Sequence, residues 1–355
     1  MRIVHINNNI GIGGAQRVMV DLVNLQVGAG HEVTAVAAPL GQWWPEVAGR
    51  HIATNALLGD HGSSLRLLRA TLAIRTVISD ARPDVVHVHQ RSLALATRVA
   101  RLGRRTPVVV EHAHSLAAGR RSQSYRSDAI IAPGRAVAAH LIAHYPHCAP
   151  RIAVIPNSVA DPGEPHPIAT DGPLRLIAIG RLSAEKDPDW FVRFVAAVRD
   201  AGLPVQARWL GDGEARAHAQ QLAQQLNAPV ALPGSSRLAQ LELVNADLLV
   251  VSSRSEGMPL AVLEAAAAGR ATIARNVGAI AEVVAHGRTG LLVDPSLAPA
   301  DAAAQLVDAL GDAPRDVLQH WGTAARQHYL ANHSPEQFAR SVMQCYESNI
   351  ASRRR

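Results

Sequence analysis

Along the first half of the chain, short apolar runs alternate with stretches of helical period. Residues 2–6, 32–38, 84–89, 107–111 and 128–132 read as buried strands, and residues 15–27, 65–79, 93–103 and 135–144 as the helices between them. This alternation predicts a parallel, doubly wound sheet, since each buried strand needs a crossover helix to reach the next. The segment from Asp161 to Pro173 breaks the pattern with four prolines, two glycines and hardly any large apolar side chain, and it reads as a linker. The alternation then resumes, with strands expected at 174–179, 206–210, 246–251 and 271–274 and three helical stretches from about residue 299 to the end. The expected architecture is α/β: two Rossmann-like doubly wound domains, residues 1–165 and 166–334, facing across a cleft where ligands bind at the strands' C-terminal ends.

Composition supports this picture and narrows it. A chain of 355 residues with 48% hydrophobic content can bury two ordinary cores. Two cysteines, Cys148 and Cys345, make no disulfide framework, which points to a reducing cytoplasm. The first apolar run is too short for a signal-peptide core, and no run of about 18 apolar residues suggests a membrane span. The formal net charge of +6 is unevenly placed, because residues 1–170 carry 17 arginines against 10 acids. Nucleic acid is not the expected partner: the 12 aromatic residues are nowhere interleaved with basic ones, so no stacking platform exists. An anionic membrane surface or an acidic acceptor fits better, and a solvated arginine-rich surface fits equally well. The chain has 34 arginines and one lysine, Lys186, which marks a position where a compact ammonium is wanted rather than a planar fork.

Three segments carry candidate chemistry. In Glu256-Gly257-Met258-Pro259-Leu260, a buried strand is followed by a helix start, with Pro259 suited to the first turn and Gly269 to the end. Glu256 then precedes the helix and Glu264 lies inside it, spanning about 12 Å at helical rise. The amides of Gly257, Met258 and Leu260 between them offer an anion site. After the strand at 174–179, Arg181 and Lys186 flank a loop entering a helix, where two cations can hold a diphosphate and stabilise it as it leaves. Gly211-Asp212-Gly213 reads as a tight turn after the next strand. At the N-terminus, Gly11-Ile12-Gly13-Gly14-Ala15-Gln16 misses the dinucleotide fingerprint: the third glycine falls on Gln16, and no acid ends the next strand. A glycine loop approached by a phosphate or sugar remains open, as does a plain turn.

Other patterns are weaker. His87 and His89 share one strand face, as do His112 and His114; a polar lining at the cleft mouth is expected there and no metal is assigned. Of these, His112 is the candidate to position an acceptor hydroxyl. Asp187-Pro188-Asp189 sits at a helix start and reads as an N-cap rather than a metal-binding Asp-x-Asp. Arg91, Arg98, Arg101 and Arg105 fall on one stripe, suited to anionic lipid or simply to solvent.

Taken together and in chain order, these residues resemble the retaining glycosyltransferases of family 4, the "group 1" enzymes of the GT-B fold. The resemblance runs through Gly13-Gly14-Ala15-Gln16, Asp84-Val85-Val86-His87-Val88-His89, Val154-Ile155-Pro156-Asn157-Ser158-Val159, Gly180-Arg181-Leu182, Glu185-Lys186-Asp187, Leu210-Gly211-Asp212-Gly213, Ser255-Glu256-Gly257-Met258-Pro259, Leu263-Glu264-Ala265 and Gly287-Arg288-Thr289-Gly290-Leu291-Leu292-Val293. It implies that Glu256 contacts the donor hexose, Glu264 the ribose, and Arg181 and Lys186 the phosphates. It further implies that the loop at Gly13 and Gly14 closes on the donor from the other domain, that His112 lies near the reaction centre, and that a helix at about 335–352 packs back on the first domain. Ser158, Ser252 and His286 depart from the usual family glycine, proline and acid.

The expected activity is metal-independent, cofactor-free and retaining. A hexose or N-acetylhexosamine moves from a nucleotide-diphosphate sugar, uridine ahead of guanosine, held by the second domain. The acceptor is a glycan or lipid-linked glycan held by the first, in bacterial cell-surface polysaccharide synthesis at the inner face of the cytoplasmic membrane. The alternative is a non-catalytic nucleotide-sugar or glycan binder, and the intact Arg181, Lys186, Glu256 and Glu264 argue against it.

Overall fold

A computed structural model describes residues 1–39, 41–58, 64–103, 107–116, 123–236 and 239–354. The chain divides into two compact units, Met1–Ser158 with Pro335–Arg355 and Val159–Ser334. The first begins β1 (Arg2–Ile6), α1 (Gly14–Gly28), β2 (Glu32–Ala37), β3 (Arg50–Ala53), α2 (Ser64–Ala81), β4 (Val85–Val88), α3 (Arg91–Ala100), β5 (Val108–His112), β6 (Ala129–Ala132), α4 (Arg135–His144) and β7 (Ile152–Val154). Its strands are all parallel, in the order β3-β2-β1-β4-β5-β6-β7.

The second unit follows with β8 (Leu174–Ile179), α5 (Pro188–Asp200), β9 (Val205–Leu210), α6 (Arg216–Gln225), β10 (Val230–Gly234), α7 (Ala239–Val244), β11 (Leu248–Val251), α8 (Leu260–Ala267), β12 (Ala271–Arg275), β13 (Gly290–Val293), α9 (Pro299–Leu310) and α10 (Pro314–Asn332). Its parallel strands run β10-β9-β8-β11-β12-β13. In each sheet the order reverses once, between β1 and β4 and between β8 and β11, and the loops leaving such strands open the crevice where doubly wound folds bind ligands. The last helix, α11 (Pro335–Arg354), returns to the first unit and packs on α1 and β5.

Every strand that the apolar runs predict is present. The four missing from the sequence reading, β3, β7, β10 and β13, are the four sheet edges. Three of them, β3, β7 and β10, are partly solvated, and the apolar runs of β7 and β13 are only three and four residues long, too short to stand out as strands. All four residues of β3 escape full burial, and β10 contains Pro233, which an edge tolerates.

The expected linker is not a free hinge, and the division at Ser158 falls ahead of the boundary expected at residue 165. Asp161 pairs with Arg326, Ile168 enters the core of the second unit, and Arg315 donates to the carbonyls of Ala169, Asp171 and Gly172. Backbone carbonyls bind a neighbour as well as side chains do, so a segment poor in apolar residues can still be fixed in place. With the units so divided, the first carries 21 arginines against 10 acids and the second 13 arginines and Lys186 against 19, formal charges of +11 and −5. Among the described residues no helix is long and apolar enough to cross a membrane.

Candidate active site

The second unit gathers its candidate residues at the β8/β11 switch point. Arg181 and Lys186 lie on the loop leaving β8, and Glu256 on the loop leaving β11. Lys186 Nζ donates to Glu256 Oε1 at 2.5 Å, and Ser253 Oγ donates to the same oxygen at 2.6 Å. Glu256 is buried and Lys186 partly so. Arg181 is exposed, and among the described residues its guanidinium has no hydrogen bond or ion pair.

Local chemistry explains why the loops hold this shape. Asp187 sits in the left-handed region, φ 55° and ψ 61°, which Asp tolerates better than most residues. Its carboxylate caps α5 by accepting from the Trp190 amide, and it also accepts from Arg254 at 2.8 Å and Arg275 at 3.0 Å. One side chain thus ties the loops after β8 and β11 to the end of β12. The expected N-cap is present and does more than cap. Ser252 donates its hydroxyl to the Lys186 carbonyl at 2.7 Å, a bond that a proline at this position cannot make.

Two glycines allow close backbone approach. A Cβ on Gly211, at φ +151°, would sit 1.8 Å from the Gly180 carbonyl oxygen, so only glycine lets the turn after β9 lie against the loop after β8. A Cβ on Gly278, at φ +58°, would sit 1.9 Å from the Glu256 carbonyl oxygen, and the neighbouring Ala279 amide donates to Gly257. The segment 276–279 therefore forms the floor under Glu256. The sequence reading missed Gly278, Ser253 and Arg275, whose only signal was position just beyond a strand.

Pro259 is the N-cap of α8 rather than a residue of its first turn, since its ψ of 127° is extended. Leu260 opens the helix, Glu264 lies one turn inside, and Gly257 and Met258 lead into it, which places a helix N-terminus directly after Glu256 in the chain. Glu264 is partly buried and accepts from Gln240 at 3.5 Å. At the other end Gly269, at φ +68°, and the Arg270 amide bonded to Ala265 close the helix as a Schellman turn.

The remaining candidates lie in the first unit. Gly13 precedes α1 and Gly14 begins it, and Gln16 donates to Asn9 at 3.2 Å across the loop. His112 ends β5 and is buried with His5, His87 and His89, while His114 is partly exposed. These imidazoles do not line an open mouth as expected. They stack on one sheet face under α1 and α11, where Tyr346 meets His87 at 2.5 Å and Phe338 lies beside His112. Neither nitrogen of His112 has a partner among the described residues. Burial holds His5 down to about 4 and His114 to about 3, and it lowers His87, His89 and His112 too, so all five rings are neutral at pH 7.

The expected arginine stripe on α3 is not free for a surface. Arg91 donates to Tyr145, Arg98 to the Gln123 carbonyl, and Arg101 to Asp128 and the Pro107 carbonyl. Arg105 lies outside the described residues. The exposed apolar face is instead on α2, where Leu65, Leu68 and Leu72 are each more than half exposed beside Arg69 and Arg75.

Two family models match this chain: Glycosyltransferase Family 4 over residues 12–161 and Glycosyl transferases group 1 over residues 173–312. Over 312 residues the chain is 28% identical to a glycogen synthase of Mycobacterium tuberculosis, covering 79% of this chain and 73% of that one. A match to an alpha-D-kanosaminyltransferase of Streptomyces kanamyceticus is 29% identical over 139 residues, 38% of this chain and 36% of that enzyme. The structure of Anabaena HepE in complex with UDP and glucose superposes with a TM-score of 0.80 at 16% identity, covering 98% of this chain and all of that one. At that identity the likeness speaks to the fold, which is GT-B.

Proposed function

The chain is a group 1, family 4 glycosyltransferase of the GT-B fold, and from that premise we propose a metal-independent, retaining transfer of a hexose or N-acetylhexosamine from a nucleotide-diphosphate sugar. Uridine diphosphate is the favoured carrier ahead of guanosine diphosphate. The observation that carries this reading is the Lys186–Glu256 pair beside the amides that lead into α8. A cation and a helix N-terminus together suit a diphosphate, and a carboxylate beside them suits sugar hydroxyls.

In this reading the donor lies on the second unit. Glu256 accepts from the hexose hydroxyls and Glu264 from the ribose. Lys186, with Arg181 from the open side, neutralises the diphosphate as the sugar leaves, the task a divalent ion performs elsewhere. Gly257, Met258, Pro259 and Leu260 shape the anion site, and Gly211 keeps the wall beside it thin. The leaving phosphate helps take the acceptor proton. Gly13, Gly14 and Gln16 of the first unit form the loop that meets the donor. His112 is the residue assigned to the acceptor hydroxyl; its ring is buried, so meeting the acceptor requires that its cover move.

The acceptor in this proposal is a glycan or lipid-linked glycan of the bacterial surface, reached from the inner face of the cytoplasmic membrane. The +11 formal charge of the first unit and the leucine face of α2 support that placement. Calorimetric titration with uridine and guanosine diphosphates, with and without a chelator, tests the donor reading. One diphosphate is expected to bind tightly with or without chelator. Failure of both to bind refutes it.

A further inference from the structure

The buried histidines of the first unit form more of a site than the acceptor role of His112 uses. His5, His87, His89, His112 and His114 come from β1, from β4 and its end, and from β5 and the loop after it. Strand register places them together: His5 lies opposite His87, and His89 continues the ladder by donating its amide to Ile6. Ring centroids are 4.1 Å apart for His112 and His114, whose planes stack within 18°, and 5.3 Å for His89 and His114, so the His112 ring has to turn for its lone pair to meet the other two. One ring nitrogen from each of His89, His112 and His114 lies within 4.8 Å of the other two.

The hydrogen bonds settle which nitrogens are free to bind. Gln26 turns its amide nitrogen toward Tyr346 and Met343, so its oxygen accepts from His5 Nε2 at 2.8 Å. That leaves His5 Nδ1 as an acceptor for His89 Nε2 at 3.0 Å. His89 Nδ1 then accepts from His114 Nε2, 3.1 Å away, and an ion taking both nitrogens would shift that proton to His114 Nδ1. Two nitrogens on one tetrahedral zinc ion, each at about 2.0–2.1 Å, lie about 3.3 Å apart, close to the spacing already present. Outside this trio, His5 and Gln26 hold His89 by its other nitrogen, as the partners behind a metal-bound histidine do.

We propose that His89, His112 and His114 bind one divalent late transition-metal ion of the zinc class. Imidazole ligands favour such an ion over magnesium or calcium. The buried nitrogens of His112, without a partner among the described residues, would gain one. Partly exposed His114 gives the ion a way in, which the fully buried trio of His5, His87 and His89 lacks. The sequence reading assigned no metal, and this proposal departs from it. The reason is that β1 and α1 bring His5 and Gln26 behind two His-x-His pairs that the sequence shows only singly. The three histidines belong to the first unit, whereas the residues proposed for the donor phosphates belong to the second. If His112 positions the acceptor, a bound ion occupies it and inhibits transfer; that consequence rests on the proposed function, whereas binding does not.

Cobalt(II) titration of chelator-treated protein tests the site directly. One equivalent is expected to give the visible d–d absorption of a four-coordinate ion with nitrogen ligands, and zinc is expected to displace it. His114→Ala, chosen because the residue is partly exposed, is expected to weaken binding at least about tenfold with an unchanged circular dichroism spectrum. His144→Ala, on the exposed face of α4, is expected to bind as the wild type does. Absence of the band, binding that survives His114→Ala, or loss of binding in His144→Ala each overturns the proposal. None of these readouts depends on transfer activity, so failure of the metal site and failure of the proposed function are told apart.

Discussion

Lys186 Nζ and Glu256 Oε1, 70 residues apart in sequence, are 2.5 Å apart in space. The only lysine in the chain is thus paired with the glutamate that opens the segment before α8. Removal of either partner leaves a partly desolvated charge beside the proposed diphosphate site. Lys186→Ala and Glu256→Ala are each expected to lower kcat about 10²–10³-fold, the size of a lost transition-state contact. The double variant is expected to show a coupling of about 1–3 kcal/mol in urea unfolding. Steady-state kinetics on folded variants checks the first expectation, and near-wild-type turnover in either single variant refutes the assignment.

Asp187 holds the loop that presents Lys186. Asp187→Ala removes the cap of α5 and leaves Arg275 without its carboxylate. The expected cost is about 2–4 kcal/mol, combining a lost N-cap with lost charge-assisted bonds. Asp187→Asn keeps the cap and the tolerance for left-handed backbone, so it is expected to cost less. Urea denaturation orders the two, and an equal loss in both would place the effect outside the cap.

Gly278 supports Glu256 from below. Gly278→Ala puts a methyl group against the Glu256 carbonyl at a positive φ. The backbone at 256–257 must move, and turnover is expected to fall more than about tenfold with a stability loss of about 1–3 kcal/mol. Kinetics and thermal melts on the same sample read both, and unaltered kinetics would show that the floor beneath Glu256 is dispensable.

The leucine face of α2 is expected to set membrane affinity. Leu68→Asp and Leu72→Asp exchange exposed leucines for acids without touching the core. Each is expected to reduce co-sedimentation with anionic vesicles at moderate salt while leaving donor binding intact. Equal sedimentation of wild type and variants removes α2 as the docking face.

Tyr346 anchors α11 to the first unit. Its hydroxyl is buried against His87 Nδ1, and His87 Nε2 already lacks a partner among the described residues. Tyr346→Phe therefore strands the whole imidazole, an expected cost of about 1–3 kcal/mol. Chemical denaturation measures it. A change below measurement error would mean that water replaces the hydroxyl.

By itself, the sequence determined the central strands, the two doubly wound sheets and the segments that meet at the β8/β11 switch point. Strands buried on both faces are mostly apolar, and a lone lysine or a Glu-Gly-Met-Pro helix start survives as a local signature. The edge strands were not legible, because pairing on one side only imposes no pattern on the residues. Only tertiary structure brought Lys186 to Glu256, set Gly278 beneath it, drew residues 161–172 onto the second unit and gave Arg91, Arg98 and Arg101 partners within the first. It also gathered five histidines from separate elements into one stack. Each of these depends on contacts between segments distant in the chain, and a partner that far away leaves no periodicity in the sequence to read.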